Sequence, residues 1–139
     1  MVLLGRLHPL LVHFPIALVV IAAVAETIAS LTDRWHWRTV AVANLRAGAA
    51  FGLAAAIAGW RLAQAPSVEA TTMLEWHRWL GATAAMATIG AALTSSGADG
   101  RSALELWVYR ITLFSATALV AMTGHFGGLL VWGADFFRP

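Results

Sequence analysis

Four long apolar stretches, separated by short polar segments, dominate the pattern of hydrophobic and polar positions. They cover about residues 7–31, 39–62, 73–94 and 104–132. Each approaches or exceeds the ~20 residues that a helix needs to cross a bilayer. The third is the weakest, because its uninterrupted apolar part begins only after Arg78. The pattern predicts an all-α fold, a membrane four-helix bundle, in which residues 1–139 form a single four-helix transmembrane domain.

Local signals refine the ends and the packing of these helices. The pairs His8-Pro9 and Phe14-Pro15 predict a kinked entry into the first span, since proline bends a helix beyond its first turn. Thr72-x-x-Glu75 and Ser102-x-x-Glu105 fit the capping box that opens helices. Gly48 and Gly52, four residues apart in the second span, predict close contact with a neighbouring helix.

Composition supports a membrane protein and narrows its chemistry. Only 12% of the residues are charged, against ~25% in ordinary soluble domains. The nine basic residues are all arginine, and their scatter is typical of head-group anchors rather than of a nucleic-acid surface. We therefore expect membrane lipid as a partner and no nucleic acid. The absence of cysteine excludes disulfides, iron–sulfur clusters and covalently attached haem.

The topology of four alternating spans brings most of the histidines to one side of the membrane. We call the side on which the chain starts side one and the opposite side two. Four histidines are expected near side one, and one, His36, near side two. At a rise of ~1.5 Å per residue, two of the four lie about 10 Å deep and two lie nearer the surface. The deep pair is His13 and His125, and the shallow pair is His8 and His77.

Such a cluster favours a cofactor site. Ionisable side chains within a membrane are costly and usually functional, and imidazole is the commonest metal ligand. Two histidines from facing helices suit a b-type haem better than zinc, which usually takes four protein ligands. His13 and His125 are the predicted axial ligands, with His77 as the first substitute and His8 at the rim. Copper, a chlorophyll-type pigment and no cofactor at all remain open as alternatives.

Neighbouring residues fit this hypothesis. Gly127 and Gly128 adjoin His125 and leave space for a flat macrocycle. Arg6 and Arg78 are expected at the surface, where they would compensate the haem propionates. A second polar set is predicted near side two, where Glu26 and Arg46 lie at comparable depth, with Asn44 close by. We interpret that pair as structural.

Three sequence blocks resemble the DUF2231 family of predicted membrane proteins. They are HPLLVHFPIAL (residues 8–18), HRWLG (residues 77–81) and TGHFGGL (residues 123–129). Similar domains occur fused to cytochrome c-like or Rieske-type modules, which implies a bacterial inner (cytoplasmic) membrane and electron transfer. Because this chain carries no such module, the resemblance implies separate membrane redox subunits, such as a cytochrome c or Rieske-type protein, as partners.

The resemblance also implies an orientation, since the soluble module of fused relatives follows the last span. Both termini are therefore expected to be extracytoplasmic. The arginine count agrees, with five near side two and four near side one.

The main hypothesis is thus a membrane b-type haem-binding electron-transfer subunit with a bis-histidine haem near the extracytoplasmic side. The alternative is a non-catalytic accessory or scaffold subunit of a larger membrane redox or photosynthetic complex, with histidines that contact pigment, lipid or neighbouring subunits. A self-sufficient enzyme is less favoured than a redox subunit, because no nucleophile–base set or pair of carboxylates is evident.

Overall fold

Five α-helices account for most of the chain in a computed structural model that describes residues 5–99 and 102–133. A short helix, α1 (His8–Leu11), leads into α2 (His13–Thr32). The longer helices α3 (Trp35–Leu62), α4 (Thr72–Thr94) and α5 (Ala103–Trp132) follow, with a 3-10 helix, Ser95–Asp99, between the last two. No strand occurs in these two ranges. The predicted all-α class and the four long helices are confirmed.

The break between α1 and α2 is the predicted kink. It falls at Val12, between the two X-Pro pairs, and Pro9 lies in the first turn of α1. At the other capping signals, Ser102 accepts a hydrogen bond from the Glu105 backbone as expected. The cap of α4 is Thr71 rather than Thr72, because the Thr71 side chain is the one that accepts from the Leu74 backbone nitrogen.

Close contacts fix the antiparallel arrangement of neighbouring helices. A Cβ atom at Gly48 would lie 2.8 Å from Val19, and one at Gly59 would lie 2.6 Å from His8. Helix α3 is therefore antiparallel to α1 and α2. The Gly48 contact confirms the predicted close packing. Along α4 and α5, His77 lies against Gly127, and Thr94 bonds Thr112. The termini of the bundle are therefore on side one.

Among the residues that the structure describes, three helices are long and apolar enough to cross a membrane: His8–Thr32 across the kink, Trp35–Leu62 and Ala103–Trp132. Helix α4, the weakest predicted span, is not among them. Its apolar part after Arg78 runs only to Thr94, about 24 Å at 1.5 Å per residue. That is shorter than the ~30 Å hydrocarbon core of a bilayer.

The main core lies in the half of the bundle toward side two. Its largest fully buried apolar side chains are Tyr109, Leu45 and Leu113, packed with small residues of α2, α4 and the 3-10 helix. A second, smaller cluster of Val19, Ala84 and Val120 lies nearer the middle. Alanine supplies most of the buried positions, which allows the helices to approach closely.

A buried ion cluster closes the bundle at side two. The Glu26 carboxylate is fully buried and accepts hydrogen bonds from Arg110 Nε at 2.9 Å and from Arg38 Nε at 3.2 Å. Ser30 belongs to the same cluster, because its hydroxyl donates a hydrogen bond to the Glu26 carboxylate and accepts one from Arg110.

The predicted Glu26–Arg46 pair is wrong. Arg46 instead donates to the Ser95 hydroxyl, and Asn44 bonds its own helix at Val40. Depth alone could not distinguish Arg46 from Arg38. Arg38 lies on the side of α3 that faces Glu26, and Arg110 of α5 supplies a second cation to the same carboxylate.

Candidate functional site

A cavity of about 600 Å³ occupies the half of the bundle toward side one. All of the long helices line it. On α4 its lining extends from Leu74 to Thr88, which is about 21 Å along the helix axis at 1.5 Å per residue. Cavities of 300–1,000 Å³ are typical of small-molecule and cofactor sites. Most of the lining side chains are alanine, glycine and aliphatic residues, so a ligand here would be largely apolar.

His8 and His77 form a facing pair within this cavity. Their ring centroids are 6.2 Å apart, with an angle of 74° between the ring planes. His8 Nδ1 lies 2.9 Å from the Ala55 carbonyl oxygen. Because a carbonyl oxygen only accepts, Nδ1 carries the proton and the lone pair of His8 is on Nε2. Backbone carbonyls fix metal-ligating histidines in this way in many proteins.

The nitrogen Nδ1 of His77 is buried and has no hydrogen-bond partner within residues 5–99 and 102–133. The Thr123 backbone on α5 lies near the ring, but not in the geometry of a hydrogen bond to this nitrogen. A buried polar atom without a partner costs about 1–3 kcal/mol. The cost is removed if a ligand in the cavity binds this nitrogen.

Two glycines hold the histidine rings in place. A Cβ atom at Gly59 would lie 2.6 Å from Cε1 of His8, and one at Gly127 would lie 3.0 Å from Cε1 of His77. Any larger residue at Gly59 would have to displace the His8 ring. The glycines therefore let α3 and α5 approach the imidazoles and restrict their rotation.

Arg78 supplies a cation to the same cavity. Its guanidinium carbon lies 4.2 Å from the centre of the Trp60 ring, and Trp60 packs edge-on against Trp79 at 5.5 Å. Arg78 Nε is buried and makes no hydrogen bond to the part of the chain that the structure describes. A donor held this way favours an anionic group on the ligand, as carboxylates form the strongest hydrogen bonds with guanidinium groups.

The predicted site residues divide into two groups. His8, His13, His77, Arg78, Gly127 and Gly128 line the cavity. His125 and Arg6 are exposed and are not among its lining residues. The ring next to His125 is that of Phe126, its neighbour in sequence. The structure therefore does not bring His13 and His125 together across the cavity, because the face of α5 that packs inward carries Gly124 and Gly127 instead.

Sequence reasoning missed the role of α3. The Ala55 carbonyl, Gly59 and Trp60 contact site residues that come from α1 and α4. The spaced glycines of the second span are the sequence signal for this role, but such spacing by itself predicts only close helix packing.

Protein ligands for a bare metal ion are few. Within residues 5–99 and 102–133, no group of three or more histidine, aspartate or glutamate side chains is arranged to hold one. Structural zinc sites usually need four protein ligands. Two imidazoles suffice where a macrocycle supplies the other four metal ligands.

The model of one protein family matches residues 6–136, nearly the whole chain, and is described as a predicted membrane protein, DUF2231. Searches of curated proteins and of solved structures give no match.

Proposed function

We propose that this chain, which belongs to the DUF2231 family of predicted membrane proteins, binds a b-type haem in its cavity and serves as an electron-transfer subunit. The observation that carries the proposal is the facing pair His8 and His77. Metal–nitrogen bonds of about 2 Å, with about 1 Å from each nitrogen to its ring centre, separate opposed imidazole centres by about 6 Å. The two ring centroids are 6.2 Å apart.

The surroundings of the pair suit a macrocycle as well. The cavity is about 600 Å³ and mostly apolar, which suits a largely apolar macrocycle. Arg78 Nε, which has no hydrogen-bond partner among the described residues, would face a propionate near side one. A haem held by His8 and His77 would supply the one-electron chemistry, and the two imidazoles and the apolar pocket would tune its potential.

This ligand pair replaces the one expected from depth. His13 and His125 matched in level, but the exposed position of His125 favours His8 and His77. We further propose a bacterial inner membrane with side one extracytoplasmic, so that a cytochrome c or Rieske-type protein can reach the haem.

The test is a reduced-minus-oxidised visible spectrum and haem extraction on purified protein. His8→Ala and His77→Ala are each expected to abolish the low-spin spectrum or to leave a five-coordinate iron. Gly59→Ala is expected to weaken haem retention, because its Cβ displaces His8. His125→Ala is the matched control, and its spectrum should equal that of the wild type.

Three results would overturn the proposal. If the purified protein contains no haem after expression with haem supplied, the proposal that it binds haem is overturned. An unchanged low-spin spectrum in both His8→Ala and His77→Ala removes the ligand assignment. Loss of the spectrum in His125→Ala alone restores the pairing expected from depth.

A second candidate, an accessory subunit, has its own supporting observation. His125 is exposed on α5, a helix long and apolar enough to span a membrane. A polar side chain that faces lipid is costly, and the cost falls if a pigment or a neighbouring subunit contacts it. In that case His125→Ala would reduce co-purification of the neighbour and leave the haem spectrum intact, whereas unchanged co-purification would contradict this role.

A further inference from the structure

Part of the cavity wall between α2 and α5 is exposed at the surface of the bundle, and we call this part the lateral opening. We define it by three residues, His13, Gly128 and Val131, which line the cavity and lie at its edge. The His13 and Val131 side chains are exposed, the latter to 74%. A Cβ atom at Gly128 would have nothing within 4 Å. The cavity wall therefore reaches the surface of the bundle at these residues.

Contacts deeper in the bundle show where the wall closes. Ile16 packs against Gly124, with 3.4 Å from Ile16 Cδ1 to a Cβ atom at that glycine. His13 is about one helical turn from Ile16, and Gly128 is about one turn from Gly124. Since α2 and α5 are antiparallel, both steps lead toward side one. The opening thus begins where this contact ends.

The opening faces lipid, because α2 and α5 both belong to the candidate membrane spans. Molecules that reach it laterally are lipid-soluble. His13 has no hydrogen-bond partner in the ranges that the structure describes, and a polar side chain within a membrane favours a ligand that satisfies it. The suitable ligand combines an apolar body with a hydrogen-bonding head group.

We propose that the lateral opening binds a lipid-soluble quinol, with its head group hydrogen-bonded to His13 and its tail in the bilayer. Its redox role rests on the proposed haem, whereas its binding does not. The quinol loses two electrons and two protons and becomes the quinone. A haem held by His8 and His77 would take up the two electrons one at a time and pass each to the proposed redox partner, and the exposed His13 would pass the two protons in turn to water at side one. The position of His13 beside the haem cavity makes direct electron transfer possible.

Binding is tested with a short-chain benzoquinone that carries a decyl tail, titrated into the protein in nanodiscs. Trp60 and Trp132 line the cavity, so quenching of tryptophan fluorescence reports occupancy without reference to haem. We expect saturable binding. His13→Ala should weaken it at least tenfold, which corresponds to about 1.4 kcal/mol. Gly128→Leu should have a similar effect, because the side chain fills the opening. His36→Ala, at side two, is the matched control and should leave affinity unchanged.

Decanol separates recognition of the head group from binding of any lipid chain. If decanol competes as well as the quinone, and His13→Ala has no effect, the opening binds acyl chains and the inference is overturned. Adding the reduced quinol should reduce the haem in the wild type and do so at least tenfold more slowly in His13→Ala. Haem binding without quinone binding overturns this inference alone. Saturable quinone binding to a protein without haem overturns the proposed function alone.

Discussion

Replacing Glu26 with glutamine is expected to destabilise the protein more than replacing either arginine that pairs with it. The Glu26 carboxylate is fully buried and shared by Arg38 and Arg110. Without its charge, two guanidinium groups face each other with no counter-ion. If one arginine is removed instead, the other still pairs with Glu26 and the charges balance.

The magnitude follows from the burial of the cluster. Breaking a fully buried pair by removal of one partner costs about 3–5 kcal/mol. The arginine side chains are 20% and 19% exposed, so they keep some hydration and the cost for Glu26→Gln falls to about 3 kcal/mol. Arg38→Gln or Arg110→Gln loses one charge-assisted hydrogen bond, about 1.5 kcal/mol. The triple variant, with all three side chains replaced by glutamine, should be more stable than Glu26→Gln alone.

Thermal unfolding in detergent, followed by intrinsic tryptophan fluorescence, measures this order. A loss of about 3 kcal/mol corresponds to a Tm about 10 °C lower. Arg46→Gln is the matched control, since Arg46 lies on α3 like Arg38 and, within the described part of the chain, its bond is to the Ser95 hydroxyl. Equal losses for Glu26→Gln and Arg46→Gln would refute the assignment of the cluster. So would a Glu26→Gln loss smaller than that of either arginine variant.

Two further predictions concern packing and orientation. Gly97→Ala should lower stability by about 1–3 kcal/mol, because a Cβ atom there would lie 2.8 Å from both the Cβ and the carbonyl oxygen of Glu105. Gly90→Ala, with nothing within 4 Å, should instead raise it by up to about 1 kcal/mol. Thermal unfolding distinguishes the two, and equal effects would contradict the close contact at Gly97. An alkaline phosphatase fused to the C-terminus should be active, since we propose that side one is extracytoplasmic. Activity of a cytoplasmic reporter at the same position would reverse the orientation.

The helices were predictable because their signals are local. Runs of apolar residues predicted each long helix to within a few residues, and the X-Pro pairs predicted the break at Val12. Capping was less certain, since Thr71 and Thr72 are adjacent and only the backbone geometry decides which one caps α4. Helix α4 also shows that the number of helices and the number of membrane spans are separate questions.

The partners of the site residues were less predictable, because depth along a helix says nothing about rotation around it. His125 and His13 match in depth, yet His125 faces outward. Likewise Glu26 has both Arg38 and Arg46 within a plausible range, and only the packing of α2 against α3 selects Arg38. About two residues, or half a helical turn, separate an inward position from an outward one. Contacts between helices therefore had to come from the structure.

The two ends of the bundle differ in packing: the end toward side one holds the cavity, and the end toward side two holds the compact core. A cavity of about 600 Å³ deprives the surrounding side chains of packing, which costs stability unless a ligand fills it. The compact core around Tyr109 and Leu45 lies at the opposite end, next to the Glu26 cluster. Its packing offsets the stability that the cavity costs. Toward side one, glycines rather than large side chains meet His8 and His77. A ligand bound between the histidines would replace the missing packing and hold together the end of the bundle that the protein alone leaves open.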